Sequence, residues 1–226
     1  MSGTKEEKKG ENAHGLRVAG WFYALAWFLI GLLLRVLHPV TVEGLENLPD
    51  HKVLLCANHA SNWDPLIIAT RLPVNYRLRA MAKKELFQNP ILGFLLRHLG
   101  VFPVDREATD IKAVKTAIQV LKDGDNLLIF PEGTTIHHGI GYADGLPAHA
   151  KSGAAMIGIR TGASLVPVFV DGEKRPFHKT RLVFGTPYAP RITGRRGTAE
   201  EVQRAADELL EAAYALGGQR VGGEPL

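Results

Sequence analysis

Short apolar segments alternate with helical segments along most of this chain. Each apolar segment has the length of a strand and is followed by a polar turn. The predicted strands cover residues 41–43, 53–57, 77–81, 101–104, 126–130, 165–170 and 181–184. Strands that alternate with helices pack as a largely parallel sheet with helices on its faces. We therefore predict an α/β fold with a mostly parallel or mixed central sheet flanked by helices.

The helical segments between these strands carry their own start and stop signals. They are predicted at residues 65–72, 83–100 with a break at 89–90, 110–123, 148–161 and 199–216. Thr198 and Glu201 have the spacing of a capping box, and Gly217 ends the last helix. Pro167 lies inside a predicted strand, which favours an edge strand or a bulge there.

Composition narrows the class of protein further. The chain has 226 residues, which suits one α/β domain, and Cys56 is its single cysteine, so no disulfide framework can form within it. The net charge of +4 is compatible with anionic lipid surfaces or phosphorylated substrates and is weak support for nucleic acid as a partner.

The amino terminus departs from the pattern of a soluble domain. Residues 1–14 are polar and rich in Lys and Glu, which predicts a disordered tail. Residues 18–34 then carry no charge, include five aromatic residues and are apolar around the whole helix. We expect residues 15–38 to form a membrane-anchoring helical segment and residues 39–226 to form the α/β domain. A buried core helix is the alternative, and crossing or partial embedding stays open.

The most distinctive polar cluster is Asn58-His59-Ala60-Ser61-Asn62-Trp63-Asp64, which directly follows a predicted buried strand. A turn here can bring Asp64 back to His59, where its carboxylate would fix the ring tautomer and leave the other ring nitrogen free to accept a proton. An ordinary loop histidine and an Asp64 that caps the helix at Pro65 would give the same pattern.

Two further clusters also follow predicted strands. Arg106 ends the segment that begins at Gly100, and an arginine at such an edge can bind a phosphate. After the strand at 126–130, Glu132 can accept hydrogen bonds from substrate hydroxyls. Gly133 allows a tight turn, where Thr134, Thr135 and the freed backbone N–H groups suit an anion. A surface ion pair and a solvated turn are the simpler alternatives for these two clusters.

In this order the clusters resemble the motifs of the glycerolipid acyltransferase family. That family shows Asn-His-x-Ser-x-x-Asp, Gly-x-Ile/Phe-x-Val-Asp-Arg, Phe-Pro-Glu-Gly-Thr-Arg and Val-Pro-Val. They correspond here to residues 58–64, 100–106, 130–135 and 166–168. The resemblance covers roughly residues 40–190, with one departure: Thr135 stands where the family has an arginine that is thought to hold the substrate phosphate.

The resemblance implies transfer of a fatty acyl group from acyl-CoA or acyl-carrier protein to the free hydroxyl of lysophosphatidic acid. His59 would be the base and Asp64 its orienting residue, with Glu132, Gly133 and Thr134 at the acceptor. Arg106, Lys83 and Lys84 are candidates for the phosphate, and Lys151 is a weaker one.

The partners implied are a membrane lipid substrate, the thioester donor and the membrane surface, on the cytoplasmic side of the cell membrane, without nucleic acid. We expect no cofactor beyond the thioester co-substrate and no metal, although His137 and His138 are adjacent.

Four rival functions remain at this point. An acyltransferase for another lysolipid is favoured by Thr135. A membrane-bound thioesterase or other hydrolase would use His59 and Asp64 with a serine, but no Gly-x-Ser-x-Gly elbow is present, and a trapped acyl-enzyme would favour it. A non-catalytic lipid-binding protein would bind lysolipid without turnover. Nucleotide binding is the weakest alternative, because the glycines at 139, 141 and 145 lack the dinucleotide spacing.

Overall fold

The computed structural model describes residues 20–105, 110–135, 142–143, 146–147, 149–171, 174 and 176–221. The strands are β1 (Val40–Glu43), β2 (Val53–Ala57), β3 (Leu78–Lys83), β4 (Val101–Val104), β5 (Asn126–Ile129), β6 (Tyr142–Ala143), β7 (Leu146–Pro147), β8 (Ser164–Val170) and β9 (Thr180–Phe184). The α-helices are α1 (Gly20–Leu37), α2 (Asp64–Arg71), α3 (Pro90–His98), α4 (Ile111–Lys122), α5 (Gly153–Thr161) and α6 (Ala199–Leu216). Short 3₁₀ helices occupy Leu45–Asn47, Val74–Tyr76 and Lys84–Phe87.

Seven of these strands form one sheet in the order β1-β9-β8-β2-β5-β3-β4. Every neighbouring pair in that sheet is parallel except β8 with β9, which is antiparallel. The small strands β6 and β7 pair with each other. The predicted mostly parallel or mixed sheet flanked by helices is therefore confirmed.

Strand β8 lies inside the sheet, so of the two alternatives that Pro167 favoured, an edge strand or a bulge, the edge strand is wrong. Pro167 pairs with Cys56 on the β2 side, and its carbonyl accepts a hydrogen bond from the Gly185 N–H on the β9 side. The antiparallel ladder with β9 runs only from Val168 onward, opposite Phe184. Proline is tolerated because its missing N–H falls beyond the end of that ladder.

Helix α5 begins at Gly153, five residues later than the predicted start at residue 148. The Lys151 N–H donates to the Pro131 carbonyl at 2.8 Å, so this segment is tied to the turn after β5 instead of to a helix. At the other end of the chain the predicted capping box is present: Thr198 and Glu201 exchange side-chain-to-backbone hydrogen bonds at the start of α6.

The core occupies both faces of the sheet, with β2 at its centre. All five residues of β2 are buried, as expected for a strand covered by helices on both sides. Alternate residues of the sheet pack with α2 on one face, and the opposite residues pack with α4, α5 and α6 on the other. Because helices pack on both faces of the sheet, the ends of the central strands are held in fixed positions; any displacement of a strand would open the core.

Helix α1 packs outside the α2 layer along one side only. Its inner side buries Tyr23 and Leu34, and the Trp27 indole N–H donates to the Ala69 and Leu72 carbonyls at 3.1 and 3.2 Å. The other side leaves large apolar residues exposed: Trp21, Leu25, Phe28, Leu29, Leu32, Leu33 and Val36. We call these seven residues the outer face of α1. Within the described residues, α1 is the one helix long and apolar enough to cross a membrane, with 18 residues.

Candidate active site

The carboxyl ends of five parallel neighbours, β8, β2, β5, β3 and β4, meet at one edge of the sheet. Each end leads into a segment that carries polar side chains, and open α/β sheets bind ligands at this edge. Residues 58–64, which follow β2 at the centre of this edge, are called the His59 turn below. The sheet thus brings together groups that are far apart in the chain.

Asn58 fixes the start of the His59 turn. Its side-chain amide donates to the Val170 carbonyl at 2.9 Å and accepts from the Val170 N–H at 2.8 Å. The amide therefore continues the β2–β8 ladder by one step through a side chain. Because both of these bonds are buried, the next residue, His59, leaves the sheet in a defined direction.

Asp64 holds the imidazole of His59 in place. One carboxylate oxygen, Oδ2, lies 3.2 Å from His59 Nδ1 and also accepts the Ala60 and Ser61 N–H groups at 2.8 and 2.7 Å. Asp64 is fully buried and His59 is 4% exposed. The predicted return of Asp64 to His59 is present, and the carboxylate binds the turn before the helix, not the N–H groups of the helix itself.

The contact with Asp64 determines which ring nitrogen of His59 can accept a proton. A carboxylate oxygen only accepts, so in the neutral ring Nδ1 carries the hydrogen and Nε2 keeps its lone pair. The hydrogen-bonding partner of Nε2 comes from a distant part of the chain: Thr135 Oγ1 lies 2.9 Å from Nε2. Asn62 Oδ1 lies 3.4 Å from the same hydroxyl. His59 therefore presents a basic nitrogen to a hydroxyl group.

A buried cation lies on the far side of Asp64. Lys174 follows β8, its side chain is 3% exposed, and its Nζ lies 3.2 Å from Asp64 Oδ1, the oxygen that His59 does not use. Burial lowers the pKa of the Lys174 ammonium, and the charges of Asp64 and Asp171 partly offset that effect. The ion pair compensates the charge of a carboxylate that has no contact with solvent.

Glu132 supports His59 from behind. Its Oε2 accepts the backbone N–H of His59 at 2.7 Å, and its Oε1 accepts the Tyr214 hydroxyl of α6 at 2.5 Å. Burial raises the pKa of Glu132 to about 7, although these two hydrogen bonds act in the opposite direction and Asp64 adds repulsion. Both oxygens thus have partners within the protein, and contact of Glu132 with substrate stays a prediction.

The turn after β5 covers the other side of the imidazole. The Phe130 ring stacks on His59 with centroids 4.0 Å apart. Gly133 has φ +73° and lies under the Lys151 side chain so closely that an added Cβ would stand 2.5 Å from Cε of that lysine. Glycine is needed here both for the left-handed backbone and for this approach. An ammonium group therefore lies against the turn.

The remaining predicted substrate residues are less closely placed. Lys83 ends β3 at the same edge and is exposed, and Thr134 is exposed in the turn after β5. Lys84 pairs with Asp105 at 2.5 Å. Arg106 lies outside the described residues, as do the following histidines: His137 and His138. Over the ranges that the structure covers, no group of three His, Cys, Asp or Glu side chains is arranged to hold a metal.

An apolar cleft of about 820 Å³ opens beside the turn after β5. Its polar rim includes Lys151 and Asp110, and its walls come from β3, β5, α4 and α5. The apolar wall residues are Met81, Val114, Leu128, Ile129, Phe130, Met156 and Ile157. A cleft of this size and lining suits an apolar chain with a polar end.

Sequence reasoning missed three contributors to the site. Lys174 and Tyr214 reach it from beyond the motif blocks, and the contact of Thr135 with Nε2 was not anticipated. Lys174 follows a strand, as the other site residues do, which was an available signal. That signal could be interpreted only with the knowledge that β8 lies next to β2. No local signal in α6 identifies Tyr214.

The sequence of this chain is similar to the sequences of known acyltransferases. The sequence model of the Acyltransferase family matches residues 39–171. A 1-acyl-sn-glycerol-3-phosphate acyltransferase of Bacillus subtilis is 36% identical over 153 residues, which are 66% of this chain and 73% of that protein. The enzyme of that name in Streptococcus pneumoniae is also 36% identical, over 64% of this chain and 53% of its own length.

A solved structure is similar as well. The crystal structure of the 1-acyl-sn-glycerophosphate (LPA) acyltransferase from Thermotoga maritima superimposes with a TM-score of 0.56 at 25% identity. The match covers 85% of this chain and 75% of that one.

Proposed function

This chain belongs to the acyltransferase family, and we propose that it transfers a fatty acyl group from an acyl thioester to the free hydroxyl of lysophosphatidic acid, which gives phosphatidic acid. The observation that carries the proposal is the orientation of His59: Asp64 engages Nδ1, and Nε2 faces a hydroxyl at 2.9 Å. The names of the relatives from Bacillus subtilis and Streptococcus pneumoniae support the same reaction.

In this reaction His59 acts as general base. Nε2 takes the proton of the acceptor hydroxyl as its oxygen attacks the thioester carbonyl, and the resulting imidazolium is stabilised by Asp64. The thiolate leaves and receives that proton, so coenzyme A or acyl-carrier protein is released as the free thiol. The activated acyl group comes with the thioester, and we therefore propose that no bound cofactor takes part.

The acceptor phosphate needs a cation other than the arginine that Thr135 replaces. Lys151, which lies over Gly133, and Lys83, which ends β3, are the described candidates, and Arg106 remains a third from the sequence. An ammonium group binds phosphate as a point charge without the bidentate geometry of arginine. We expect Lys151→Met to raise the KM for lysophosphatidic acid.

The outer face of α1 supports action at a membrane. Helix α1 is about 27 Å long at 1.5 Å per residue, slightly less than a hydrocarbon core. Its inner side is bound to α2 through Trp27, which argues against a free spanning helix. We propose that α1 lies in the cytoplasmic membrane surface, where a lysolipid and a cytosolic thioester can meet, and that the protein has no role with nucleic acid.

Activity on a panel of lysolipids tests the proposal. Purified protein in detergent is given acyl-CoA with lysophosphatidic acid, or with a lysolipid that lacks a phosphate monoester, and thiol release is followed with lipid analysis. We expect phosphatidic acid from the wild type and a loss of about a hundred- to ten-thousand-fold in His59→Ala. Robust transfer by that variant, with the fold intact, would exclude His59 as the base.

Preference for the second acceptor would favour the alternative lysolipid reaction, with Thr135 as its explanation.

A further inference from the structure

Three side chains at the site stand in the order hydroxyl, imidazole, carboxylate. Thr135 Oγ1 lies 2.9 Å from His59 Nε2, and His59 Nδ1 lies 3.2 Å from Asp64 Oδ2. A nucleophile within about 2.6–3.2 Å of a base that a third group orients is the arrangement of nucleophilic catalysis. The sequence lacks a Gly-x-Ser-x-Gly elbow that would supply a serine nucleophile, but the structure places a threonine in this position.

The proton positions suit attack by this hydroxyl. The neutral tautomer set by Asp64 leaves a lone pair on Nε2, so the Thr135 hydroxyl donates to it. Thr135 is partly exposed, in the turn that follows β5. Acyl transfer requires the carbonyl carbon of the bound thioester to lie beside a hydroxyl that contacts Nε2. The Thr135 hydroxyl already occupies such a position.

We propose that Thr135, His59 and Asp64 form a catalytic triad that hydrolyses the acyl thioester through an acyl-threonine when no lysolipid acceptor is bound. This activity uses the same base and donor as the proposed acyl transfer and rests on that function for its thioester. It differs in the nucleophile, because the first acyl acceptor is a side chain of this protein.

The step balances without any further reactant than water. Thr135 Oγ forms an ester bond to the acyl carbon, His59 takes the hydroxyl proton, and the C–S bond breaks with transfer of that proton to the departing thiolate. Water then attacks the ester, again with His59 as base, and the fatty acid leaves as the proton returns to the threonine oxygen. The products are one free thiol and one fatty acid per thioester.

The nucleophile is a consequence of the departure at residue 135. In the family motif this position holds an arginine, whose guanidinium is always protonated and cannot attack a carbonyl. A hydroxyl at the same place can act as a nucleophile, since its oxygen becomes more nucleophilic as it donates its proton to Nε2. The substitution therefore exchanges a phosphate-binding cation for an acyl-accepting oxygen.

The test uses the purified full chain in detergent with palmitoyl-CoA and no lysolipid. Thiol and fatty acid are followed from the first turnover, and acid-quenched protein is digested and sequenced by mass spectrometry. We expect acyl groups on Thr135 and hydrolysis that falls roughly a hundred-fold or more in Thr135→Val. Thr135→Ser should retain both, and Thr116→Val, a threonine in α4 whose hydroxyl binds the Lys112 carbonyl, is the matched control.

The proposal is overturned if Thr135→Val hydrolyses palmitoyl-CoA at the wild-type rate, or if the acyl group is found on another residue. Thermal unfolding checks that each variant is folded. Failure of the proposed transfer gives a different result: the wild type then forms no acylated lipid with any lysolipid, while hydrolysis through Thr135 persists. The ratio of hydrolysis to transfer in each variant separates the two reactions.

Discussion

The His59 turn and the outer face of α1 depart from the usual distribution of residues in opposite ways. At the turn, the charged groups Asp64, Glu132 and Lys174 are withdrawn from solvent. On α1, seven large apolar side chains face outward, with Trp21 72% exposed. Charged groups are seldom buried unless paired, and contiguous exposed apolar patches mark interaction sites.

The two regions differ in where their partners come from. Asp64 and Glu132 obtain theirs from the protein itself, through His59, Lys174 and Tyr214. The apolar side chains on the outer face of α1 have no such partners within the described residues, and we propose that lipid covers them. The contacts of the His59 turn are thus complete once the protein folds, whereas the outer face of α1 is buried only when the protein binds to a membrane.

The largest expected effect comes from Lys174→Met, which breaks the internal pairing at the turn. The substitution leaves Asp64 Oδ1 buried without its cation, and loss of one partner of a buried ion pair costs about 3–5 kcal/mol of unfolding free energy. Chemical denaturation measures this difference. The exposed Lys179→Met is the matched control, with an expected change of no more than about 0.5 kcal/mol.

A second variant keeps this prediction independent of general damage to the loop. In Lys174→Met with Asp64→Asn the uncompensated charge is gone, so part of the lost stability should return, although activity should not. Equal stability of Lys174→Met and wild type would show that Asp64 does not depend on this ammonium.

Glu132→Gln is expected to have an effect of intermediate size that depends on pH. Burial raises the pKa of Glu132 from its ordinary value of 4.5 to about 7 in the folded protein, so between these pH values the unfolded chain loses this proton first. The contribution of Glu132 to stability is therefore fully present below pH 4.5 and falls as the pH rises to about 7. Its loss at pH 8 is on the order of 3 kcal/mol.

Thermal unfolding between pH 4 and pH 8 measures this contribution. The amide in Glu132→Gln still accepts the His59 N–H but cannot ionise, so its stability should vary less with pH than that of the wild type. Curves that run parallel over the whole range would mean that Glu132 ionises as an ordinary carboxyl.

The smallest effect is expected from the outer face of α1. Replacing Phe28 and Leu32 by serine removes two half-exposed apolar side chains without touching the contact of Trp27 with α2. If lipid covers them, vesicle binding should weaken by about 2 kcal/mol in total, or roughly thirty-fold. Sedimentation with anionic vesicles measures this change.

Ile111→Ser is the matched control for that measurement, because Ile111 is 63% exposed on α4, at the other face of the sheet. Equal loss of binding in the control and in the α1 variant would exclude α1 as the membrane contact.

Local patterns were sufficient for much of the fold and part of the site. The β2 run, the return of Asp64 to His59 and the capping box at Thr198 all depend on residues within a few positions of one another. Such contacts are set by chain geometry and hydrogen-bonding capacity, which the sequence displays directly. The motif blocks identified the family in the same way.

Expectations that required the neighbours of a strand were less successful. Pro167 was expected at an edge or a bulge because a proline lacks a ladder donor, and the edge is excluded because β8 lies between β9 and β2. The start of α5 was placed too early, since Lys151 is held by the turn after β5. In both cases a distant partner, which no local pattern displays, decided the outcome.

By itself the sequence determined the strand and helix segments, the His59–Asp64 pair and the departure at Thr135. Only the tertiary structure decided that β8 and β5 flank β2, and hence that Lys174 pairs with Asp64 while the Thr135 hydroxyl meets the basic nitrogen of His59. The physical reason is that strand order follows from packing of the whole core on both faces of the sheet. Residues distant in the chain become chemical neighbours only when that packing is complete.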